Sequence, residues 1–337
     1  MKFGFGLITC QHYPGDSRSD TEIYQEALRL VRRAEQLGFD SVWVSEHHFW
    51  DDGYMPSLLV FNAAVAALTQ RVTIGTGVLL STLYQPLRLV EDAATVDLIS
   101  GGRLLLGLGQ GWMAHEFQAF GLPLKAHHKR LEATVALLRD AWSTGLANGA
   151  PGSGRVLVTP RPAQGGGPPI WLGADSVAGM KRAGRIADGY ISSSAFDKDI
   201  WSAQIRIVED AAAEARRDLD NFTFSLHRPT FAWHGADAWA RVAPYAHYVS
   251  WKYQEMQLPR DRSGPLVAPP PLTEEAEIRG GRGLVGEPER IIEWLSELQS
   301  VTPGELHYVA RLYWPGMESS LQDEAMEIFA NEVIKKI

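Results

Sequence analysis

The stretch Arg103-Leu104-Leu105-Leu106-Gly107-Leu108-Gly109-Gln110-Gly111 decides between the two folds open to this chain. Its uninterrupted apolar run is typical of a strand in a parallel sheet, which is buried on both faces. Its glycines have the spacing G-x-G-x-G, not the G-x-G-x-x-G of a dinucleotide-binding turn, and the run is the fourth predicted strand rather than the first. The stretch therefore argues against a doubly wound open sheet and favours a barrel.

Similar apolar runs alternate with helical patterns on both sides of this stretch. The first helical pattern opens with a Ser19-x-x-Glu22 capping box and ends at Gly38. Eight β/α units without a break in composition predict one (β/α)8 TIM barrel across residues 1–337, with insertions at its carboxyl-terminal mouth. The principal strands are predicted at Phe3–Ile8, Ser41–Val44, Val72–Leu80, Arg103–Leu108, Ile170–Gly173, Gly189–Ser192, Phe222–His227 and Leu306–Leu312.

Two segments rich in glycine and proline interrupt the alternation. The first, 147–169, is predicted to be an insertion that contains a short strand at Val156–Thr159. The second, 258–283, follows the helical segment after the seventh strand and is predicted to be a mobile lid over the mouth. A surface insertion without function is the alternative explanation for the second segment.

Composition and charge exclude several classes of function. Apolar residues make up 45% of the 337 residues and charged residues 21%, and the net charge of −8 comes without a cluster of Lys and Arg. This argues against binding to nucleic acid or to an anionic membrane surface. The single cysteine, Cys10, excludes an internal disulfide framework, and no apolar stretch is long enough to span a bilayer. We therefore expect a cytoplasmic protein whose opening MKFGFGLITC is a strand rather than a signal peptide.

Polar residues collect at the carboxyl ends of the predicted strands, where barrel enzymes carry their chemistry. The second strand is followed by Glu46, His47 and His48. Adjacent residues of a strand point to opposite faces, so the two histidines cannot act as a matched pair. The spacing of the histidines and acidic residues fits no metal motif, so we predict no metal site. No G-x-S-x-G sequence is present, which argues against a serine hydrolase.

Further strand ends indicate a large, flat ligand that carries a phosphate. Glycines at Gly75 to Gly77 and Gly107 to Gly111 remove side chains at neighbouring strand ends, which lets a ring system approach the backbone. Tight packing of the barrel is the alternative explanation for these glycines. The run Gly173-Ala174-Asp175-Ser176-Val177 places a strand end before a helix N-terminus, where free N–H groups favour a phosphate. An ordinary helix cap is the alternative here.

Taken together, these residues resemble the bacterial luciferase-like monooxygenase family. The likeness covers Met1 to about Asp188 and resumes weakly from Gly286 to Leu312. The matching pieces, in order, are MKFGFGLITCQ, GFDSVWVSEHHF, IGTGVLLSTLYQPLRLVED, SGGRLLLGLGQGW, EFQAFG, PPIWLGADS, RAGRIADG and VGEPERIIEWL. The resemblance implies a barrel that binds FMN, or in one branch the deazaflavin coenzyme F-420, at the carboxyl-terminal mouth.

The resemblance also assigns roles to individual residues. His47 matches the active-site histidine of the family, and Glu46 is expected to assist by orienting a neighbour, so these two are the predicted catalytic residues. Gln110 and Gly179 depart from the luciferase pattern, which has an arginine for the FMN phosphate at the first position and a hydroxyl residue at the second, whereas Asp175 and Ser176 match it. The predicted cofactor-binding residues are Gly77, Val78, Gly109, Gln110, Ala174, Asp175, Ser176 and Val177. The family has a cis peptide bond between the first two of these, Gly77 and Val78.

The function implied by this resemblance is a monooxygenase that uses reduced FMN and O2 on a small, apolar organic substrate. The chain has no dinucleotide fingerprint, so a separate flavin reductase is expected to supply the reduced FMN. One alternative is hydride transfer with coenzyme F-420, and another is a non-catalytic flavin-binding subunit. The apolar segment from Ser57 to Leu68 predicts a homodimer formed through the second and third helices. Candidates to line the substrate pocket are Trp112, Phe231, Trp233 and Trp251.

Overall fold

Eight parallel strands close into a barrel in the computed structural model, which describes residues 1–149, 152–258, 264–273 and 284–337. The strands are β1 (Lys2–Ile8), β2 (Ser41–Val44), β3 (Thr73–Thr76), β4 (Leu79–Leu80), β5 (Leu104–Gly109), β6 (Leu146–Asn148), β7 (Arg155–Leu157), β8 (Ile170–Gly173), β9 (Gly189–Ser192), β10 (Thr223–Ala232), β11 (Leu284–Gly286) and β12 (His307–Arg311). The barrel follows the order β1-β2-β3-β5-β8-β9-β10-β12 and closes where β12 pairs with β1. The predicted (β/α)8 barrel is confirmed.

Helices connect the barrel strands and form the outer layer. The first helix begins and ends as predicted, because both hydrogen bonds of the Ser19–Glu22 capping box form and Gly38 ends the helix with a left-handed φ of 93°. The helices are α1 (Asp20–Leu37), α2 (Leu58–Leu68), α3 (Pro86–Ser100), α4 (Ala114–Ala119), α5 (His127–Thr144), α6 (Val177–Ile186), α7 (Lys198–Glu214), α8 (Ala238–Glu255), α9 (Pro288–Gln299) and α10 (Ser319–Glu332).

Large side chains fill the inside of the barrel and make some of the strand glycines necessary. A Cβ on Gly75 would lie 2.6 Å from the Trp43 ring, and a Cβ on Gly107 would overlap the carbonyl oxygen of Thr76. Packing therefore explains these two glycines without a ligand. The side chains that fill the interior are Leu7, Trp43, Leu105, Trp171, Ile191 and Val309.

The third predicted strand is interrupted near its end. The sequence predicts one strand over Val72–Leu80, but the structure divides it into β3 and β4 around Gly77 and Val78. The peptide bond between Gly77 and Val78 is cis, which confirms the prediction, and a second non-proline cis bond joins Gly6 to Leu7. β4 pairs with the end of β5, so the chain between β3 and β4 lies at the mouth of the barrel.

Val78 lies against two glycines of neighbouring strands. A Cβ on Gly173 would lie 2.6 Å from Cγ1 of Val78, and a Cβ on Gly109 would overlap Cγ2 of the same side chain. These glycines therefore accommodate Val78, which in turn lines a cavity at the mouth. Any residue larger than glycine at either position would displace Val78.

The mouth is built by α4, by α8 and by the connection between β2 and α2. Lys252 of α8 is fully buried, and its Nζ donates to Asp51 and to Glu255 (3.0 Å). The Tyr248 hydroxyl, also on α8, donates to Asp52 over 3.0 Å. These buried contacts hold α8 against the connection that follows the predicted Glu-His-His run.

The two Gly/Pro-rich segments differ in position. The insertion at 147–169 leads from α5 into β8, so it lies at the amino-terminal end of the barrel and not at the carboxyl-terminal mouth where it was predicted. Connections from a helix to the next strand run along that end, and the antiparallel pair β6–β7 is formed here. Of the predicted lid at 258–283, residues 259–263 and 274–283 lie outside the described residues. No helix in the described ranges is long and apolar enough to cross a membrane.

Candidate active site

A cavity of about 340 Å³ opens at the carboxyl-terminal mouth of the barrel. Eight of the ten predicted site residues line it: Glu46, His47, Gly77, Val78, Gly109, Gln110, Ala174 and Asp175. The other residues around it are Leu7, Ser45, Leu80, Gly111, Trp112, Gly173, Ile191, Ser193, His227, Tyr253 and Arg311. The strand ends thus bring together residues that are up to 304 positions apart in sequence, from Leu7 to Arg311.

A smaller pocket of about 180 Å³ adjoins this cavity at the N-terminus of α6. The two spaces share Gln110 and the strand end Gly173 to Asp175, and Ser176 lines the smaller one. Val177 lines neither space, and its side chain is 55% exposed. Of the predicted cofactor residues, Val177 is therefore the one whose side chain the fold directs away from the site. A larger cavity of about 580 Å³ lies at the amino-terminal end of the barrel and contains none of the predicted residues.

His47 is held by a carboxylate that the sequence analysis did not assign. Its Nδ1 lies 2.9 Å from Oε1 of Glu116 on α4, and the imidazole is 5% exposed. The Trp50 ring stacks on the imidazole with centroids 4.3 Å apart, and the Tyr54 ring contacts it edge-on at 5.0 Å. Because Nδ1 is engaged by Glu116, Nε2 is the nitrogen available to a ligand in the cavity.

Glu46 orients His48, not His47. Oε1 of Glu46 lies 2.6 Å from Nε2 of His48, and its Oε2 accepts from the backbone N–H of Leu80 over 3.1 Å. Burial raises the pKa of the Glu46 carboxyl, against the opposing effect of His48. The two histidines bind different carboxylates, so the prediction that they diverge is confirmed. Through these hydrogen bonds Glu46 fixes the position of the His48 ring and of the Leu80 backbone beside the cavity.

Three hydroxyl groups form a chain along the wall beside His47. The buried Tyr54 hydroxyl donates to Oγ of Ser45 over 3.0 Å and lies 2.9 Å from the hydroxyl of Tyr253. Ser45 and Tyr253 line the cavity, whereas Tyr54 lies behind them. Burial raises the pKa of Tyr54 well above its ordinary value, so the Tyr54 hydroxyl keeps its proton.

The pocket at α6 combines a helix N-terminus with a buried arginine. Ser176 caps the helix, since its Oγ accepts from the N–H of Gly179 over 3.2 Å. Arg182 is 7% exposed and lines the pocket, with its Nε donating to Glu132 over 2.7 Å. Oε1 of Gln110 is buried and has no hydrogen-bond partner among the described residues. Arg182 therefore brings a positive charge to a place where Gln110 cannot supply one.

The fold also explains why position 179 carries glycine. A Cβ on Gly179 would lie 2.5 Å from Cβ of Ala174, so a hydroxyl side chain there would require Ala174 to move. The neighbouring Asp175 carboxylate accepts from the backbone N–H of Ser193 over 3.1 Å and from the Ser193 hydroxyl. Asp175 thus ties the end of β8 to the end of β9 beside the pocket.

The aromatic candidates for the substrate pocket divide into two groups. Trp112 lines the cavity and is 45% exposed at its rim. Phe231 and Trp233 lie in a separate core cluster with Trp314, and Trp251 lines neither space at the site. The aromatic rings around His47 are instead those of Trp50, Tyr54, Tyr253 and Trp112.

Several residues of this site carry no recognisable signal in the sequence. Glu116 is part of the EFQAFG piece quoted above, but nothing in that piece shows which side chain it meets. Arg182 lies in a predicted helix, and arginines on helices are usually exposed at the protein surface. The sequence alone therefore does not mark it as part of a site. Arg311 lies within the predicted strand Leu306–Leu312, where no motif marks it, and the structure places it in the cavity. Within the described ranges, no group of three or more His, Cys, Asp or Glu side chains has an arrangement that could hold a metal ion.

The closed barrel and the histidine–carboxylate pair in its mouth define the class of protein, a (β/α)8-barrel enzyme. The sequence profile of the luciferase-like monooxygenase family matches residues 1–303. The chain therefore belongs to the luciferase-like monooxygenase family, a family of oxidoreductases, as the resemblance predicted.

The relatives of this chain include a monooxygenase and an F-420-dependent dehydrogenase. The chain is 28% identical to the alkanal monooxygenase alpha chain of Photorhabdus laumondii over 229 residues, which are 67% of this chain and 63% of that protein. It is 33% identical to an F-420-dependent glucose-6-phosphate dehydrogenase of Amycolatopsis mediterranei over 202 residues, which are 57% of this chain and 60% of that protein. The chain thus spans less than two thirds of the length of these relatives.

Among solved structures, the oxygenating constituent of 3,6-diketocamphane monooxygenase from Pseudomonas putida in complex with FMN superimposes with a TM-score of 0.77. The alignment covers 100% of this chain and 99% of that chain, at 18% identity. At this identity the likeness shows the fold alone.

Proposed function

We propose that this protein is a flavin-dependent monooxygenase that uses reduced FMN and O2 to oxidise a small organic substrate. The observation that carries the proposal is His47, held by Glu116 with Nε2 free, in a cavity that continues into an anion pocket at α6. A histidine in this arrangement can take or give a proton close to a bound ring system.

The residues present fit FMN. The cavity and the pocket together form an elongated space, with apolar Leu7 and Val78 where a ring would lie. The N-terminus of α6 and the Arg182 guanidinium suit a phosphate at the other end. The unpartnered Oε1 of Gln110 lies between them and can accept from a hydroxyl of a sugar-alcohol chain. Ser176 completes the phosphate end through its backbone and hydroxyl.

Each residue of the wall then has a physical role. Bound reduced FMN would supply the electrons that activate O2 for insertion into the substrate. His47 would hold or move a proton at Nε2, because Glu116 keeps Nδ1 engaged. Tyr253 would face the substrate in the same space, and Trp50 and Tyr54, which pack against His47 behind the wall, would keep water away from it. The substrate would enter past Trp112 at the rim.

The partners proposed are a separate flavin reductase and a second copy of this chain. The glycine spacing after β5 does not match a dinucleotide-binding turn, so another protein is expected to reduce the FMN. For the homodimer, α2 and α3 carry exposed apolar side chains, with Val60 75% exposed and Leu98 and Ile99 also exposed. Light scattering that finds a monomer at micromolar concentration would contradict the dimer.

The second candidate is a hydride-transfer enzyme that uses coenzyme F-420. Two observations favour it: the F-420-dependent relative is 33% identical over its matched residues, and Gln110 stands where the family has an arginine for the FMN phosphate. A non-catalytic flavin-binding subunit is the third candidate, and the retained His47 argues against it.

The experiment that separates these candidates is a comparison of the two cofactors in the purified protein. We expect FMN to bind about tenfold or more tightly than F-420 in fluorescence titrations. We also expect His47→Asn to divert O2 from an organic product to hydrogen peroxide, measured with ¹⁸O2 and a panel of apolar substrates. The control is His234→Asn, since His234 is exposed on the surface. Tighter binding of F-420, without O2 uptake when reduced FMN is present, would establish the second candidate instead.

A further inference from the structure

Arg311 is a cation without a counterion in the cavity. It is the last residue of β12, is partly buried and lines the same space as His47. Its guanidinium forms no hydrogen bond and no ion pair with the described residues. The Tyr253 ring lies near the guanidinium, with its centroid 5.9 Å from the arginine Cζ.

The carboxylates of the cavity are engaged elsewhere. Glu46 bonds to His48 and to the backbone N–H of Leu80. Asp175 bonds to the backbone and the hydroxyl of Ser193. A cation that loses part of its hydration without gaining a partner costs free energy, so proteins usually pair such charges. The unpaired guanidinium therefore points to an anion that comes from a ligand.

His227 adds a second unsatisfied group at the same place. It lines the cavity, and its buried Nδ1 has no hydrogen-bond partner among the described residues. Burial, followed by the charge of Arg311, lowers the pKa of His227 to about 3, so the imidazole is neutral at physiological pH. A neutral imidazole still has one N–H to donate. Arg311 and His227 together thus offer donors and one positive charge to an anionic group.

The topology places Arg311 opposite the phosphate pocket. The pocket lies between β5 and β8, which are the fourth and fifth strands around the barrel, whereas β12 is the eighth and adjoins β1. A molecule whose phosphate lies in the α6 pocket and whose ring lies in the cavity extends across the mouth toward β12. The end of such a ring that lies away from the phosphate would therefore be the part nearest to Arg311.

We propose that Arg311, assisted by His227, recognises the negative charge that the cofactor ring carries in its reduced state. This inference rests on the proposed function, with FMN as the cofactor. The ring of oxidised FMN is neutral; the flavin reductase adds two electrons and one proton, which leaves the ring with one negative charge. A fixed cation near a flavin ring stabilises that charge. The protein would thus select the reduced FMN released by the reductase over the oxidised form.

The test is the ratio of two dissociation constants, measured by anaerobic titration of the purified protein with oxidised and with reduced FMN. We expect the native protein to bind reduced FMN more tightly, and Arg311→Gln to reduce this preference about tenfold or more, as for one lost charge-assisted hydrogen bond. Arg311→Lys keeps the charge and should retain part of the preference. Arg182→Gln should weaken the binding of both forms equally, because the phosphate is the same in oxidised and reduced FMN. Arg88→Gln, on the surface, should change neither constant.

Three outcomes would overturn the inference. If Arg311→Gln weakens the binding of both forms equally, or of neither form, the arginine does not distinguish reduced from oxidised FMN, although the proposed function stands. If the native protein binds neither form, the proposed function fails together with the inference. Thermal melting curves of both Arg311 variants establish that a loss of preference does not reflect a loss of folded protein.

Discussion

Replacing Glu116 by glutamine separates the charge of this side chain from its shape. Oε1 of Glu116 lies 2.9 Å from Nδ1 of His47 and accepts from the backbone N–H of His48 over 2.8 Å. A carboxylate can only accept hydrogen bonds, so it favours the His47 tautomer that carries its proton on Nδ1. In Glu116→Gln the His48 N–H still requires an acceptor at the same point, which keeps the amide oxygen in place.

The magnitude follows from the two kinds of hydrogen bond. A bond to a charged group contributes about 1.5–3 kcal/mol and a neutral one about 0.5–1.5 kcal/mol, so the substitution removes about 1–1.5 kcal/mol of tautomer preference. This corresponds to about a tenfold fall in the ratio of the two His47 tautomers. The nitrogen shifts of a ¹⁵N-labelled imidazole report this ratio directly at alkaline pH.

The same substitution should reduce the yield of oxidised product by up to about tenfold, because fewer molecules present Nε2 in the required form. The affinity for FMN should stay the same, since Glu116 does not line the cavity or the pocket. Glu91→Gln is the matched control, as Glu91 is exposed on α3 and pairs with Arg88. An unchanged imidazole spectrum in Glu116→Gln would refute the assignment of Glu116 as the group that orients His47.

Three further results are expected. Lys252→Met should lower the free energy of unfolding by about 3–5 kcal/mol in denaturant titrations, since it removes the buried ammonium that bonds to Asp51 and Glu255, and adding Asp51→Asn should restore part of the loss. Gly109→Ala should displace Val78 and weaken FMN binding, whereas equal affinity in a fluorescence titration would show that the contact is not limiting. Burial lowers the pKa of His307 from 6.5 to about 4, so its stabilising contribution is complete above pH 6.5 and falls as the pH drops toward 4. His307→Gln should therefore remove about 3 kcal/mol of pH dependence from that window, and an unchanged slope of unfolding free energy against pH would contradict the shift.

The barrel and the location of its site follow from local patterns. The apolar runs and the helical periodicity determine eight β/α units, and in such a fold every strand end reaches one mouth. Residues that directly follow a strand, such as Glu46, His47 and Gln110, could therefore be assigned to one cavity before any contact was known. The same local reasoning located the N-terminus of α6 at Ser176, because a cap is a property of consecutive residues.

The contacts between strand ends depended on the tertiary structure. Glu116 meets His47 because the connection after β5 folds back over the mouth, and no spacing in the sequence encodes a pairing across 69 positions. The glycines at 75 and 107 are explained by Trp43 and Thr76, which are neighbours only once the strands are in register. Whether Arg311 has a counterion likewise depends on every group around it, because the free energy of a charge is set by its surroundings and not by its neighbours along the chain.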